Sequence, residues 1–173
     1  MTLQPFTDEQ LNYFKFASIV LNEFATALRQ TFKCMWNNII GHLPGYQLWD
    51  DSVVVRNLFL SKEGGKTKVP THTSYEKWDC TALFQATLHA RSFSLRDSKG
   101  HYRTLDELFI RYHKVPRGKF HASVVSPGGN TAETSALAID QLRLLRNSLC
   151  HSDRPEIDKP TFDQYVQFAK EAF

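Results

Sequence analysis

Residues 132–150, AETSALAIDQLRLLRNSLC, carry the clearest helical pattern in the chain. Four apolar residues in this stretch are spaced four, three and four positions apart: Ala138, Leu142, Leu145 and Leu149. This spacing places all of them on one face of an α-helix. A proline shortly beyond the stretch prevents the helix from continuing. The pattern therefore predicts an amphipathic helix of about five turns that is buried on one side.

The N-terminal segment predicts a longer helix over residues 8–40, which contain neither glycine nor proline. Thr7 and Gln10 have the spacing of a capping box, and Gly41 predicts the end of the helix. The apolar residues expected on its buried face, interrupted only by Ser18, are Leu11, Phe14, Leu21, Ala25, Leu28, Phe32 and Trp36. We expect this stripe to contribute a large part of the core.

Two further main helices are predicted. One covers residues 75–93 with Ser74 as its N-cap, and the last begins near Asp158 or Thr161. A second capping box at Thr104 predicts a short helix that ends near residue 113. The apolar run at residues 53–60 is compatible with either a short helix or a buried strand.

The remaining segments complete an all-α prediction. Residues 114–131 are rich in proline and glycine and predict a long loop, and residues 98–100 predict a turn. No pair of strands joined by a hairpin turn is expected. We therefore predict one domain over residues 1–173, a helical bundle of four main helices with short extra helices and a long loop.

Composition excludes several classes of protein. The 173 residues include 21 Lys and Arg and 18 Asp and Glu, for a formal net charge of +3. This mild excess excludes a strongly basic nucleic-acid-binding arm and an acidic disordered protein. Hydrophobic residues make up 42% of the chain, which is sufficient for a folded core of ordinary size.

The cysteines and the N-terminus indicate a cytoplasmic protein. Cys34, Cys80 and Cys150 are odd in number and include no C-x-x-C pair, so we expect reduced thiols that mostly pack as small hydrophobic residues. The first ten residues lack the basic and apolar regions of a signal peptide, and no apolar run is long enough to span a membrane.

Phosphate-loop and metal chemistry are not expected. The sequence Gly65-Lys66-Thr67 resembles the end of a phosphate-binding loop, but Leu60 occupies the position of the required first glycine, and Pro70 follows where a helix should continue. The histidines show no metal-ligand spacing. We therefore predict neither a metal nor another cofactor.

The most informative polar residues are Arg146, Asn147 and His151, at the end of the helix quoted first. Histidine exchanges protons near neutral pH, and arginine stabilises charge on a phosphate. Asn147 and His151 share one helix face, whereas Arg146 and His151 lie roughly 140° apart around the axis. Two copies facing each other across a two-fold axis would bring both sets together. Spacing alone is also typical of surface and capping roles.

Three blocks of sequence around this motif resemble one family. Residues 75–83 (YEKWDCTAL), 136–143 (ALAIDQLR) and 152–162 (SDRPEIDKPTF) occur in the same order as in HEPN domains, the higher eukaryotes and prokaryotes nucleotide-binding family. The resemblance covers residues 70–173 best. It is to an animal subgroup found in a DAZ-interacting RING ubiquitin ligase and in invertebrate multidomain proteins of immune type.

The resemblance implies a metal-independent endoribonuclease that cleaves RNA by attack of the 2′-hydroxyl group in a composite homodimer site. It assigns Arg146 and His151 as the catalytic pair and Asn147 as the supporting polar residue. It also implies a module of a larger protein. Some members of the subgroup are non-catalytic RNA-binding or protein-interaction modules, so this alternative stays open.

Four further charged residues have two interpretations each: Asp79, and the three cations near the motif in sequence, Arg143, Arg154 and Lys159. Asp79 either orients Arg146 or is an acid that interacts favourably with the start of its own helix. Arg143, Arg154 and Lys159 either contact RNA phosphates or are solvated surface residues.

Overall fold

The computed structural model describes residues 4–111 and 114–173. The chain begins with one continuous helical stretch, made of α1 (Asp8–Ser18), a π-helical segment (Ile19–Phe24) and α2 (Ala25–Ile39). The Thr7 hydroxyl accepts the N–H of Gln10, and the Gln10 side chain accepts the N–H of Thr7. The predicted N-terminal helix and its capping box are therefore confirmed.

The buried face of this helix differs from the prediction in its first half. The predicted positions from Ala25 onward are buried, but three earlier ones are exposed: Leu11, Phe14 and Leu21. Phe16, Val20 and Phe24 are buried in their place. A π-helical turn holds extra residues compared with an α-helical turn, so it shifts the phase of the buried stripe between α1 and α2. A constant 3.6-residue period cannot show this shift.

The predicted helix over residues 75–93 is wrong in extent. The segment contains a 3₁₀ turn (Tyr75–Lys77), helix α4 (Cys80–Thr87) and a second 3₁₀ turn (Arg91–Phe93). The break occurs at Asp79, which has extended backbone angles and whose carboxylate accepts the N–H of Ala82. A side chain that caps the following turn in this way starts a new helix.

Residues 53–60, which the sequence left undecided, belong to helix α3 (Val53–Lys62). The Ser52 hydroxyl accepts the N–H of Val55 and caps the helix.

The expectation that no strand pair occurs is wrong. Strands β1 (Leu95–Arg96) and β2 (Tyr102–Arg103) pair in antiparallel fashion around the predicted turn. The Asp97 carboxylate accepts the N–H groups of Lys99 and His101, and Gly100 has a left-handed φ of 83°. Strands of two residues are too short to show alternation in the sequence, which is why the hairpin is not predicted.

The capping box at Thr104 is present, because its hydroxyl accepts the N–H of Glu107 and the Glu107 carboxylate accepts the N–H of Thr104. The predicted short helix follows as a π-helical segment (Asp106–Ile110). The last two positions of that predicted helix lie outside the described residues.

The C-terminal part of the chain follows the prediction closely. After the loop come α5 (Thr131–Cys150) and α6 (Lys159–Ala172), which are capped by Asn130 and Asp158. Each of the four predicted main helices is represented, the second by the much shorter α4. The all-α prediction is confirmed.

The buried apolar residues form one continuous cluster with an aromatic centre. The Phe32 ring lies 4.7–6.4 Å from the rings of Trp36, Trp49, Phe59, Trp78 and Phe93, measured between ring centres. Helix α6 packs against α1 through Tyr165, whose ring centre is 5.1 Å from that of Phe16. In the part of the chain that the structure describes, no helix has the length and apolar character needed to cross a membrane.

Candidate functional site

Arg146 is anchored against the start of α4. Its Nη1 donates a hydrogen bond to the Thr81 hydroxyl at 2.8 Å, and its guanidinium carbon lies 5.4 Å from the centre of the Phe84 ring. The Nε atom is buried and has no hydrogen-bond partner among the described residues. The guanidinium is therefore held between α5 and α4 by its hydrogen bond with Thr81 and its cation–π contact with Phe84.

His151 ends α5 and exposes its side chain. Its N–H donates to the Asn147 carbonyl at 2.9 Å, and its backbone angles depart from the helical values. Among the described residues no hydrogen bond or ion pair joins the side chains of Arg146, Asn147 and His151. One chain therefore presents the three residues at one helix end without closing them into a site.

Asp79 acts as the N-cap of α4. Its Oδ1 accepts the Ala82 N–H at 2.8 Å, which matches the interpretation of an acid at the start of its own helix. Within residues 4–111 and 114–173 it forms no ion pair with Arg146, which instead contacts Thr81, two residues further along. The assignment of Asp79 as a residue that supports Arg146 remains a prediction.

The three predicted phosphate contacts differ in their availability. The Nε and Nη2 atoms of Arg143 both lie 2.7 Å from Asp140 Oδ1. The ammonium group of Lys159 lies 3.3 Å from the Asp163 carboxylate on the exposed surface of α6. Arg154 is exposed and has no ion pair in the described part of the chain. Much of the positive charge predicted around the motif is therefore compensated within the fold.

Sequence reasoning missed a buried polar cluster on α5. His121 Nε2 lies 2.7 Å from Asp140 Oδ2, and both side chains are almost fully buried. The Gln141 amide accepts the N–H of His121 and donates to its carbonyl group. Asp140 thus connects His121 to Arg143, and the cluster attaches the loop before α5 to the helix. The available signal was the adjacent pair Asp140 and Gln141 in the predicted helix, next to its buried face.

The thiols only partly follow expectation. Cys80 is buried, its thiol donates to the Val20 carbonyl at 3.7 Å, and burial raises its pKa. Cys34 and Cys150 are exposed, so the prediction that the cysteines mostly pack as hydrophobic residues is wrong for two of the three. Among the described residues no three His, Cys, Asp or Glu side chains are placed to hold a metal ion.

Two concave regions lie away from the motif. An open groove of about 1180 Å³ separates α2 from the first half of α5. A smaller, more polar cavity of about 560 Å³ lies beside the hairpin, and Lys62, Arg91 and Tyr102 are among the residues that line it. Neither is lined by Arg146 or His151.

Comparison with known proteins identifies no relative: no protein-family model, no curated protein and no solved structure matches the chain.

Proposed function

We propose that the chain is a metal-independent endoribonuclease of the HEPN type, active as a homodimer in which two copies of Arg146, Asn147 and His151 share one cleft. The observation that supports this proposal best is the arrangement at the end of α5. Arg146 is fixed by Thr81 and Phe84, and His151 exposes its imidazole little more than one turn further on. A cytoplasmic location, in keeping with three free thiols, belongs to the same proposal.

The chemistry explains why two chains are needed. A neutral imidazole removes the proton of the ribose 2′-hydroxyl, whose oxygen then attacks phosphorus. The bond from phosphorus to the 5′-oxygen breaks, and an imidazolium protonates that leaving oxygen. The products are a 2′,3′-cyclic phosphate and a 5′-hydroxyl. One His151 cannot hold both protonation states at once, whereas the two histidines of a dimer supply base and acid.

The other two residues stabilise the reacting phosphate. Arg146 carries a permanent charge, and its contacts with α4 reduce the cost of orienting it when negative charge develops on the phosphate. Asn147 lies one turn before His151 on the same helix face, where its amide can orient either the imidazole or a phosphate oxygen.

The decisive experiment compares RNA cleavage by wild type, His151→Ala and His42→Ala in the presence of EDTA. His42 is an exposed histidine in the turn after α2, so it serves as the matched control. We expect a loss of roughly 10²–10⁴-fold for His151→Ala, no change for His42→Ala, and cyclic phosphate ends by mass spectrometry. Equal cleavage by all three proteins, or no cleavage of varied RNAs by wild type, would contradict the proposal.

The dimer is tested separately by mixing wild-type protein with an excess of His151→Ala. Each mixed dimer holds one His151 and therefore lacks either the base or the acid, so the excess should reduce RNA cleavage by the wild-type protein. A wild-type protein that stays monomeric at high concentration in light scattering would rule out the composite site.

The second candidate is a non-catalytic module of a larger, immune-type protein that binds a protein partner or RNA. The compensated charges around the motif favour this candidate, since Arg143 and Lys159 each face a carboxylate. Binding of RNA without cleavage, or binding of neither RNA nor nucleotides, would distinguish this module from the nuclease.

A further inference from the structure

A second cationic surface lies at the opposite end of α4 from Arg146. Thr81, which holds Arg146, is at the start of this helix, and the 3₁₀ turn Arg91–Phe93 follows its end. The cavity beside this turn is lined by Lys62, Arg91, Ser92, Ser94, Tyr102, Arg103, Thr104 and Glu107. We call this region the hairpin cavity. An α-helix of eight residues is about 12 Å long, so the two sites are separate.

The hairpin cavity is lined by more cations than acids, with Lys62, Arg91 and Arg103 against Glu107. Residues 61–68 and 91–107 contain seven Lys and Arg and four Asp and Glu, which gives these segments a net charge of +3. This equals the formal net charge of the whole chain, so the remaining residues are neutral in sum. A local excess of cations attracts polyanions, whereas balanced surfaces do not.

Two of the lining cations have no acidic partner among the described residues. Arg103 lies between Asp97 and Glu107, at 3.2 and 3.5 Å, and is therefore compensated. Arg91 and Lys62 form no ion pair in the described part of the chain.

The buried side chain of Glu63 fixes the backbone that carries Arg91. The buried carboxylate of Glu63 accepts the N–H groups of Arg91 and Ser92 at 2.9 and 2.7 Å, and it also accepts the Ser92 hydroxyl. The Glu63 carboxylate thus bonds the backbone of the turn and not the Arg91 guanidinium, and the Arg91 side chain is exposed.

An exposed aromatic ring completes the surface. The Tyr102 side chain is 66% exposed, and the guanidinium carbon of Arg96 lies 5.0 Å from its ring centre. Aromatic rings and guanidinium groups are the side chains on which unpaired bases stack. A cationic cavity bordered by such a ring matches a ligand that carries both phosphates and flat bases.

We propose that the hairpin cavity binds a segment of single-stranded RNA, with phosphates at Arg91 and Lys62 and one base stacked on Tyr102. The inference goes beyond the proposed cleavage, because it shares no residue with the motif and holds whether or not the strand is cut. It also assigns RNA contacts to residues outside the predicted set of Arg143, Arg154 and Lys159.

The test measures binding of a fluorescently labelled oligouridine by anisotropy over a range of salt concentrations, with His151→Ala protein as the starting point to prevent cleavage. We expect Tyr102→Ala to weaken binding about 5-fold or more. We expect Arg91→Ala to reduce the slope of log affinity against log salt by about 0.7. The matched controls are Phe6→Ala, at 61% exposure, and Lys15→Ala on α1, and both should bind like the starting protein.

Three results would overturn the inference. Unchanged binding by both Tyr102→Ala and Arg91→Ala would exclude the cavity, and equal weakening in the controls would indicate non-specific attraction. A duplex of the same length that binds equally well would exclude base stacking, and displacement by equimolar uridine triphosphate would exclude the strand as the ligand. Because binding is measured in a protein that cannot cleave, failure here and failure of the nuclease proposal give different results.

Discussion

The two ends of α4 use the same side-chain chemistry in different ways. At the first end, Arg146 is held by Thr81 and Phe84, and Asp79 caps the helix. At the second end, Arg91 extends to solvent from a backbone that Glu63 holds, and the exposed Tyr102 of β2 lines the same cavity. The difference shows that a cation can lie close to a motif in sequence and still be unavailable to a ligand. Its availability depends on which acceptors lie near it in space.

The buried cluster of His121, Asp140 and Arg143 is the clearest case of a charge that is compensated within the fold. Its disruption should have the largest effect on stability. Asp140 is buried between His121 and Arg143, so Asp140→Ala leaves both without their partner. We expect a loss of about 3 kcal/mol in the free energy of unfolding, measured by urea denaturation. Asp140→Asn keeps one acceptor oxygen and should lose less.

The control for this substitution is Asp163→Ala, which removes the acidic partner of Lys159 from an exposed pair. Its cost should stay below about 1 kcal/mol. If both substitutions lower the free energy of unfolding equally, the Asp140 cluster does not attach the loop to α5 as we describe. A compensated buried charge would then contribute no more to stability than an exposed one.

The second prediction compares one residue type at the two ends of α4. Arg146→Ala removes a hydrogen bond to Thr81 and a cation–π contact with Phe84, and we expect it to cost about 1–2 kcal/mol of stability. Arg91→Ala, at the open end, should stay within about 0.5 kcal/mol of wild type. Denaturation curves of both variants provide the measurement.

A double-mutant cycle isolates the contact itself. Thr81→Ala in the Arg146→Ala background should cost less than in wild type, because the shared hydrogen bond is already absent. Additive effects would show that Arg146 stabilises the fold by another route. An unstable Arg91→Ala would remove the distinction between the two ends.

The sequence predicts the helices well wherever a local signal fixes them. Thr7, Asp158 and the stripe of α5 set helix boundaries that the structure reproduces within a few residues. The π-helical segment changes the helical period without a marker in the sequence. The local cap at Asp79 lies inside a continuous apolar pattern, and the two-residue strands carry no periodic signal.

The sequence is less informative about the candidate site. The pairing of Arg146 with His151 is a prediction from the sequence, whereas the contact of Thr81 with the arginine is not predicted by it. The sequence also shows Asp140 and Arg143 at a spacing compatible with an ion pair, but not that His121 shares the carboxylate across 19 residues. These contacts join distant parts of the chain, which is why residue spacing alone does not reveal them.

The smallest expected effect concerns the hairpin at the open end of α4. The pKa of Asp97 lies below its ordinary value of 3.8, chiefly because its carboxylate accepts the His101 N–H, with further contributions from Arg103 and Lys99. A carboxyl group whose pKa is lowered by folding stabilises the fold above the ordinary value, and this contribution is lost as the pH falls through the lowered pKa. The hairpin should therefore persist at pH 3.8 and open only at lower pH.

Amide chemical shifts of Lys99 and His101, followed by NMR as the pH is lowered, measure this transition. Asp97→Asn has no charge to lose, so its hairpin signals should show no such transition. A midpoint above 3.8, or the same transition in Asp97→Asn, would mean that another group controls the turn. Because Asp97 is at the surface, the global stability should change little, and this result would confine the pH effect to the end of α4 where the side chains face solvent.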